Sequence, residues 1–181
     1  MARKESISAG EIINAAFTLT REEGLEQVTA RHLAAQIGCS TQPIFRVYKS
    51  MEDLYNEIYE QVSEYFSMYY EEYEVSENTP FVNLGMVYIS FAQKEPNLFK
   101  TLFLSPKRNH KSLYELLNGD KGAVKKEIAN AGADGVKNPG QMFMKMWIFI
   151  HGAACMAITG DYDLTTEETR SLLKESYESF R

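Results

Sequence analysis

The segment from Val28 to Leu54, VTARHLAAQIGCSTQPIFRVYKSMEDL, constrains the fold most, because it spells two short helices joined by a glycine turn and followed at once by a third. Thr29 precedes the apolar residues Leu33, Ala34 and Ile37, so its hydroxyl is placed to cap a helix over roughly 30 to 36. Gly38 ends that helix, since glycine accepts the left-handed backbone of a sharp reversal. Cys39 then offers a small apolar side chain for the angle between the helices. Ser40 is expected to cap a second helix over about 41 to 47. Ile44, with Phe45 or Tyr48, would turn inward, and Thr41, Gln42, Pro43 and Arg46 outward. Two helices with so short a joint form a helix-turn-helix, whose second helix enters the DNA major groove through its N-terminal residues. Ser50-Met-Glu-Asp53 is a further capping pattern that opens a longer helix.

A pair of short helices about a glycine also occurs in plain helical hairpins, so the flanks matter. Upstream, Ser8-Ala-Gly-Glu11 is a capping box, and Ile13, Ala16, Phe17 and Thr20 lie at i, i+3, i+4 and i+7 on one helical face. Glu23-Gly24 closes this first helix. The chain therefore opens with a three-helix unit of about 50 residues from which a fourth helix emerges.

The ordered pattern IINAAFTLTREEGLEQVTARHLAAQIGCSTQPIFRVYKSMEDL, over about residues 7 to 54, resembles the N-terminal domain of tetracycline-repressor-like (TetR/AcrR) transcriptional regulators. The stretches FVNLGMVYISFAQKEPNLFKTLF and WIFIHGAACMAI resemble, less diagnostically, the divergent helical regulatory domains of that family. The resemblance implies an all-α protein of about nine helices, with a helix-turn-helix domain over 1–50 and a ligand-binding and dimerisation domain over 51–181. It implies a homodimeric regulator, a repressor released from a palindromic operator by a small-molecule inducer. By position in the resembled pattern, Thr29, Arg31, Thr41, Gln42, Pro43, Phe45, Arg46 and Lys49 would touch DNA, and Ser40 and Tyr48 complete the set. Arg31 and Arg46 suit guanine edges or phosphate, Gln42 suits adenine, and Pro43 a thymine methyl. Thr29, Ser40 and Lys49 suit phosphate. The chain departs from the family at Phe45, where Tyr is common, at Val47, where an aromatic or His is common, and at Met51, where a phosphate-gripping Lys often stands. Lys49 would stand in for that lysine, and Arg3 and Lys4 could act as a flexible arm.

Charge agrees with local docking. The net charge is −6, yet residues 1 to 50 carry six Lys/Arg and five Asp/Glu, net +1, and 51 to 181 carry thirteen and twenty, net −7. Only the N-terminal unit suits a polyanion.

Beyond residue 50, breakers divide the chain. A helix to about 73 carries Tyr55, Ile58, Val62, Tyr65, Phe66 and Tyr69. A polar break over 74 to 79 precedes Thr79-Pro80, read as the N-cap and first residue of a helix to about Lys94. Pro96 opens a short helix bearing Leu98, Phe99, Leu102 and Phe103, and a basic loop runs from Ser105 to Lys111. Helices over about 111–118, 121–131, 140–159 and 165–179 complete the chain, the last opened by Thr165-x-x-Glu168.

The 140–159 helix is too apolar for one neighbour to cover. With the last helix it would form the intersubunit bundle that the resemblance implies, through Trp147, Ile150, Ala154, Ile158, Leu172, Leu173, Tyr177 and Phe180. Tyr69, Met86, Tyr88, Phe91, Phe103, Met142, Met146, Trp147 and His151 supply the apolar lining of an effector pocket, or equally a plain core. Met142 to Ile158 is interrupted by Lys145 and His151 and falls short of the roughly 20 residues of a membrane span. No secretory segment opens the chain, so a cytoplasmic protein without membrane partners is expected.

Other chemistry finds little purchase. Cys39 and Cys155 lack CxxC or Cys/His spacing, and His32, His110 and His151 form no metal motif. There is no Gly-rich phosphate loop, G-x-S-x-G elbow or H-E-x-x-H helix, so no enzyme and no cofactor is expected. The alternative to a regulator is a helical protein-interaction module with weakened DNA binding, which the departures at Phe45, Val47 and Met51 would suit.

Overall fold

The computed structural model describes residues 7–73, 77–105, 112–119 and 122–181. Among these the secondary structure is helical, without a strand: α1 (Ala9–Glu23), α2 (Ala30–Ile37), α3 (Gln42–Val47), α4 (Met51–Glu72), α5 (Val82–Lys94), α6 (Pro96–Phe99), α7 (Leu113–Asn118), α8 (Ala123–Ala133), α9 (Pro139–Thr159) and α10 (Thr166–Phe180). A 3₁₀ turn, Leu25–Gln27, follows α1, and a π-helical turn, Lys100–Leu104, continues α6. The fold is all-α, with ten α-helices where about nine were expected.

The chain forms two compact units. One takes the described residues of Met1–Tyr65 and Asn97–His110, the other those of Phe66–Pro96 and Lys111–Arg181. The division therefore falls inside α4, after Tyr65, rather than after residue 50, because the greater part of α4 is bound into the helix-turn-helix core. Tyr55 donates its hydroxyl to the Val28 carbonyl at 2.9 Å. Phe17 meets Tyr65 at 5.6 Å between ring centroids, and the Arg21 guanidinium lies 5.5 Å over the same Tyr65 ring. The α6 segment joins this unit from far along the chain. Asn97 donates its side-chain amide to the carbonyls of Arg21 and Glu22 at 3.0 and 3.1 Å, closing the end of α1. Leu98, Phe99, Leu102 and Phe103 are buried behind it.

The helix starts follow the local code. Ser8 and Glu11, Ser112 and Glu115, and Thr165 and Glu168 form reciprocal capping boxes, and Ser50 with Asp53 does the same ahead of α4. One start differs from expectation. Thr79-Pro80 does not open α5; a turn intervenes, and Phe81 stands at the N-cap with φ 64°, in the left-handed region. Its amide is satisfied by the Glu127 carboxylate of α8 at 2.5 Å, a cap supplied across tertiary structure that local sequence cannot announce.

In the second unit α9 packs against α5, α8 and α10. Trp147, Ile150, Ala154, Leu173 and Tyr177 are buried there, inside their own unit. Covered within their own unit, these five side chains leave little surface for the subunit interface expected of them. Ile158, Leu172 and Phe180 remain half-exposed. At 21 residues α9 also exceeds the expected length and is long and apolar enough to cross a membrane by length and composition; here one side of it is packed.

Seven of the nine residues expected to line a pocket are buried. Met86, Tyr88, Phe91, Met142, Met146 and Trp147 are buried in the second unit, and Phe103 is buried in the first. The half-buried pair finds polar partners: Tyr69 shares a 2.7 Å hydrogen bond with Ser90, and His151 Nδ1 lies 2.9 Å from the Tyr88 hydroxyl.

Phe81 sets two effects against each other. Its ring is fully buried, near Phe143 and Tyr177, while its backbone is strained. Phe81→Gly relieves roughly 1 kcal/mol of left-handed strain but forfeits about 3–5 kcal/mol of aromatic packing. Denaturant unfolding should therefore show a net destabilisation of about 2–4 kcal/mol.

Candidate nucleic-acid interface

The candidate interface is built on α2, the turn after it, and α3. Thr29 caps α2, its hydroxyl accepting from the His32 amide at 3.2 Å. At the other end Gly38 has φ 77° and ψ 34°, and the Cys39 amide reaches back to the Ala34 carbonyl at 2.9 Å, so the reversal closes with its hydrogen bonds made. Cys39 is half-buried in the bend. The second helix starts one residue later than expected. Thr41, already helical at φ −70°, is its N-cap residue and makes no side-chain cap, so the capping role foreseen for Ser40 is not taken up. Pro43 in the first turn has no amide to leave unsatisfied there.

Ile44 decides which way α3 faces. It is fully buried, while its neighbours Phe45 and Arg46 are exposed. Thr29, Arg31, Ser40, Gln42 and Lys49 are exposed as well, and Thr41 and Pro43 are partly so. Nine of the ten candidate contacts are thus accessible on the helix-turn-helix. Tyr48 is the exception: it is 5% exposed, and its hydroxyl is enclosed, which leaves little of it for the DNA contact expected. Burial, and after it the Glu57 carboxylate, push that hydroxyl well above the ordinary phenol pKa. Between the two inward candidates, Tyr48 takes the core position and Phe45 turns out. Phe45 is 48% exposed and Val47 39%, so these two departures from the resembled pattern lie on the accessible surface, and the third, Met51, is half-buried. Arg3 and Lys4 lie outside the described residues, as does most of the basic loop expected over 105 to 111.

Arg31, Arg46 and Lys49 give this face three exposed cations and no exposed acid between Arg31 and Ser50. Hydroxyls and an amide stand beside them at Thr29, Ser40, Thr41 and Gln42. Such a set can hold phosphates and present Gln42 and Arg46 to base edges; it contains no nucleophile with an adjacent base.

The second unit holds a separate cavity of about 480 Å³. Phe66, Ser67, Tyr70 and Glu71 of α4 form one wall, Leu116 to Gly119 another, and Ala123, Lys126 and Glu127 of α8 a third. None of the nine residues chosen from sequence lines it. Their Met and aromatic content marked them as apolar, and that signal is the same for a packed core and for a pocket wall. Glu127 carried no distinguishing signal, since it sits in an amphipathic helix where a carboxylate reads as solvent-facing. Among the described residues, no group of three His, Cys, Asp or Glu side chains gathers as a metal site.

Residues 12–58 match the family model described as bacterial regulatory proteins, tetR family. The fold is similar to that of a proposed TetR-family transcriptional regulator from Vibrio parahaemolyticus, with TM-score 0.64 and 17% identity over 94% of this chain and 96% of the other. It is also similar to a proposed TetR-family regulator from Rhodococcus sp., with TM-score 0.57 and 16% identity over 93% and 96%. A TetR-family member from Streptomyces coelicolor A3 gives TM-score 0.60 and 15% identity over 91% and 95%. No curated relative matches the sequence.

A Cβ at Gly38 would meet nothing within 4 Å, so substitution there tests backbone strain alone. Gly38→Ala should cost roughly 1–2 kcal/mol in chemical unfolding, and Gly38→Asn less, because asparagine tolerates the left-handed region better.

Proposed function

We infer that this chain, which carries the tetR-family N-terminal domain at residues 12–58 within an all-α TetR fold, is a sequence-specific repressor that binds a palindromic operator as a homodimer. The observation that carries this reading is the exposure of Arg31, Gln42, Arg46 and Lys49 on one helix-turn-helix whose apolar residues Leu33, Ala34 and Ile44 are buried. A transcriptional regulator, rather than an enzyme, is what this fold and this surface serve. A cytoplasmic location follows from a DNA target.

A three-helix reader touches few base pairs, so affinity calls for two copies on a two-fold site. The surface best suited to join them is the outer face of α9. Met144, Ile148, Gly152 and Met156 recur every fourth residue, with Met144 52%, Ile148 66% and Met156 48% exposed. An added Cβ at Gly152 would meet nothing, which leaves a notch in this ridge for a partner's side chain. An exposed apolar ridge of this kind supports an interface between copies. The helix α4 runs from the DNA-reading unit into the second unit, so an effector bound in the latter has a covalent route to the former. It acts as an inducer only if it binds the DNA-free state more tightly.

The exposed Phe45 and Val47 are what a protein-interaction module would use, and DNA titration separates the two readings. A regulator's affinity falls steeply with salt, by a log–log slope of about −0.9 per phosphate contacted. Arg46→Ala should cost about 1–3 kcal/mol of operator binding. A flat salt response together with an inert Arg46→Ala would instead favour the interaction module. Independently, Ile148→Arg should convert a dimer to monomer in analytical ultracentrifugation; an unchanged dimer would exclude the α9 ridge as the interface.

A further inference from the structure

The cavity of the second unit has a charge arrangement that selects among ligands. Phe66, Leu116 and Leu117 are buried and give it an apolar wall of drug-sized extent, about 480 Å³. The charged lining residues sit at different depths. Lys126 and Glu71 are exposed, whereas Glu127 is only half-exposed. The least exposed charge on the lining is therefore a carboxylate. We propose that this cavity takes an amphipathic cation, its flat apolar body against Phe66, Leu116 and Leu117 and its ammonium group against Glu127.

Desolvation favours that pairing. Burial holds the Glu127 carboxyl above the ordinary carboxylate range, against the lowering effect of the Phe81 amide. A carboxylate short of water gains more from a cation than an exposed one does. The Phe81 amide engages Oε2, and the other oxygen adds acceptor capacity for an ammonium N–H. Tyr70 also lines the site; burial, then the Glu127 charge, push its hydroxyl up to about 12, so it stays a neutral phenol whose ring face attracts cations. An anionic ligand would meet two like charges, Glu127 and Glu71, against the single exposed cation Lys126, and a neutral one would cover Glu127 without compensating it.

The assignment rests on reading the second unit as the effector domain, and its test is kept separate from DNA. Three probes share one naphthyl body: 1-naphthylmethylamine (cation), 1-naphthalenemethanol (neutral) and 1-naphthylacetate (anion). Titrated calorimetrically into the full chain without DNA, the amine should bind roughly tenfold or more tighter than the acetate, the worth of one charge-assisted hydrogen bond. Glu127→Gln, which keeps an oxygen for the Phe81 amide, should erase most of that preference. Leu117→Trp should abolish amine binding by filling the cavity, with circular dichroism confirming an unchanged helix content. Equal or tighter binding of the acetate or alcohol, an amine preference untouched by Glu127→Gln, or no saturable binding of the amine would overturn the proposal. Glu127-dependent amine binding that leaves DNA affinity unaltered would uphold the ligand chemistry and overturn the inducer reading. Absence of a charge preference in the unsubstituted protein, with DNA binding intact, would overturn only this inference.

Discussion

A helix of six residues has no stability of its own, because the cost of its first turn is never recovered over so short a length. The burial of Ile44 is therefore what makes α3 a presentable surface, and the functional reading depends on it. With Ile44 pinned inward, the 3.6-residue period turns Phe45 and Arg46 toward solvent and brings Tyr48 back to the core. The Thr29 cap and the left-handed Gly38 hold α2 and the reversal, so the orientation of α3 is set by both a hydrophobic peg and a hydrogen-bonded hinge.

The same dependence extends outward. The core that receives Ile44 belongs to a unit completed by α4, fastened through Tyr55 to the Val28 carbonyl, and by Asn97, which closes α1 from 75 and 76 residues further along the chain. Whatever alters α4 beyond Tyr65 acts on a helix whose earlier turns are part of the helix-turn-helix core. In the second unit the Phe81 amide depends on Glu127, a cavity residue, so the start of α5 and the cavity share one carboxylate.

What was legible in the sequence was whatever local chemistry specifies. The capping boxes at Ser8, Ser50 and Thr165, the turn at Gly38 and the inward position of Ile44 all follow from residues within one or two helical turns of one another. The ordered pattern around them was enough to suggest the family that residues 12–58 match. Illegible features were those decided at long range. The Phe81 cap comes from α8, the division of the chain falls within α4, and α6 joins the first unit. On α9, apolar on nearly every side, periodicity could not tell the packed face of Ile150 and Ala154 from the outer ridge of Ile148 and Met156. The cavity was hidden for a related reason: its wall combines Leu116 and Leu117 with Glu127 and Tyr70, and no stripe in the sequence links them.

On the proposed reading α3, oriented by Ile44, reads DNA sequence as one half of a symmetric pair. The most direct test is selection of a random-sequence duplex library by the purified protein at near-physiological salt, with Arg46→Ala in parallel. The account predicts enrichment of a palindrome whose half-sites lie about 10 base pairs apart or at a multiple of that spacing, and its loss in the variant. Retention of duplexes without common sequence, or the same palindrome retained by Arg46→Ala, would contradict it.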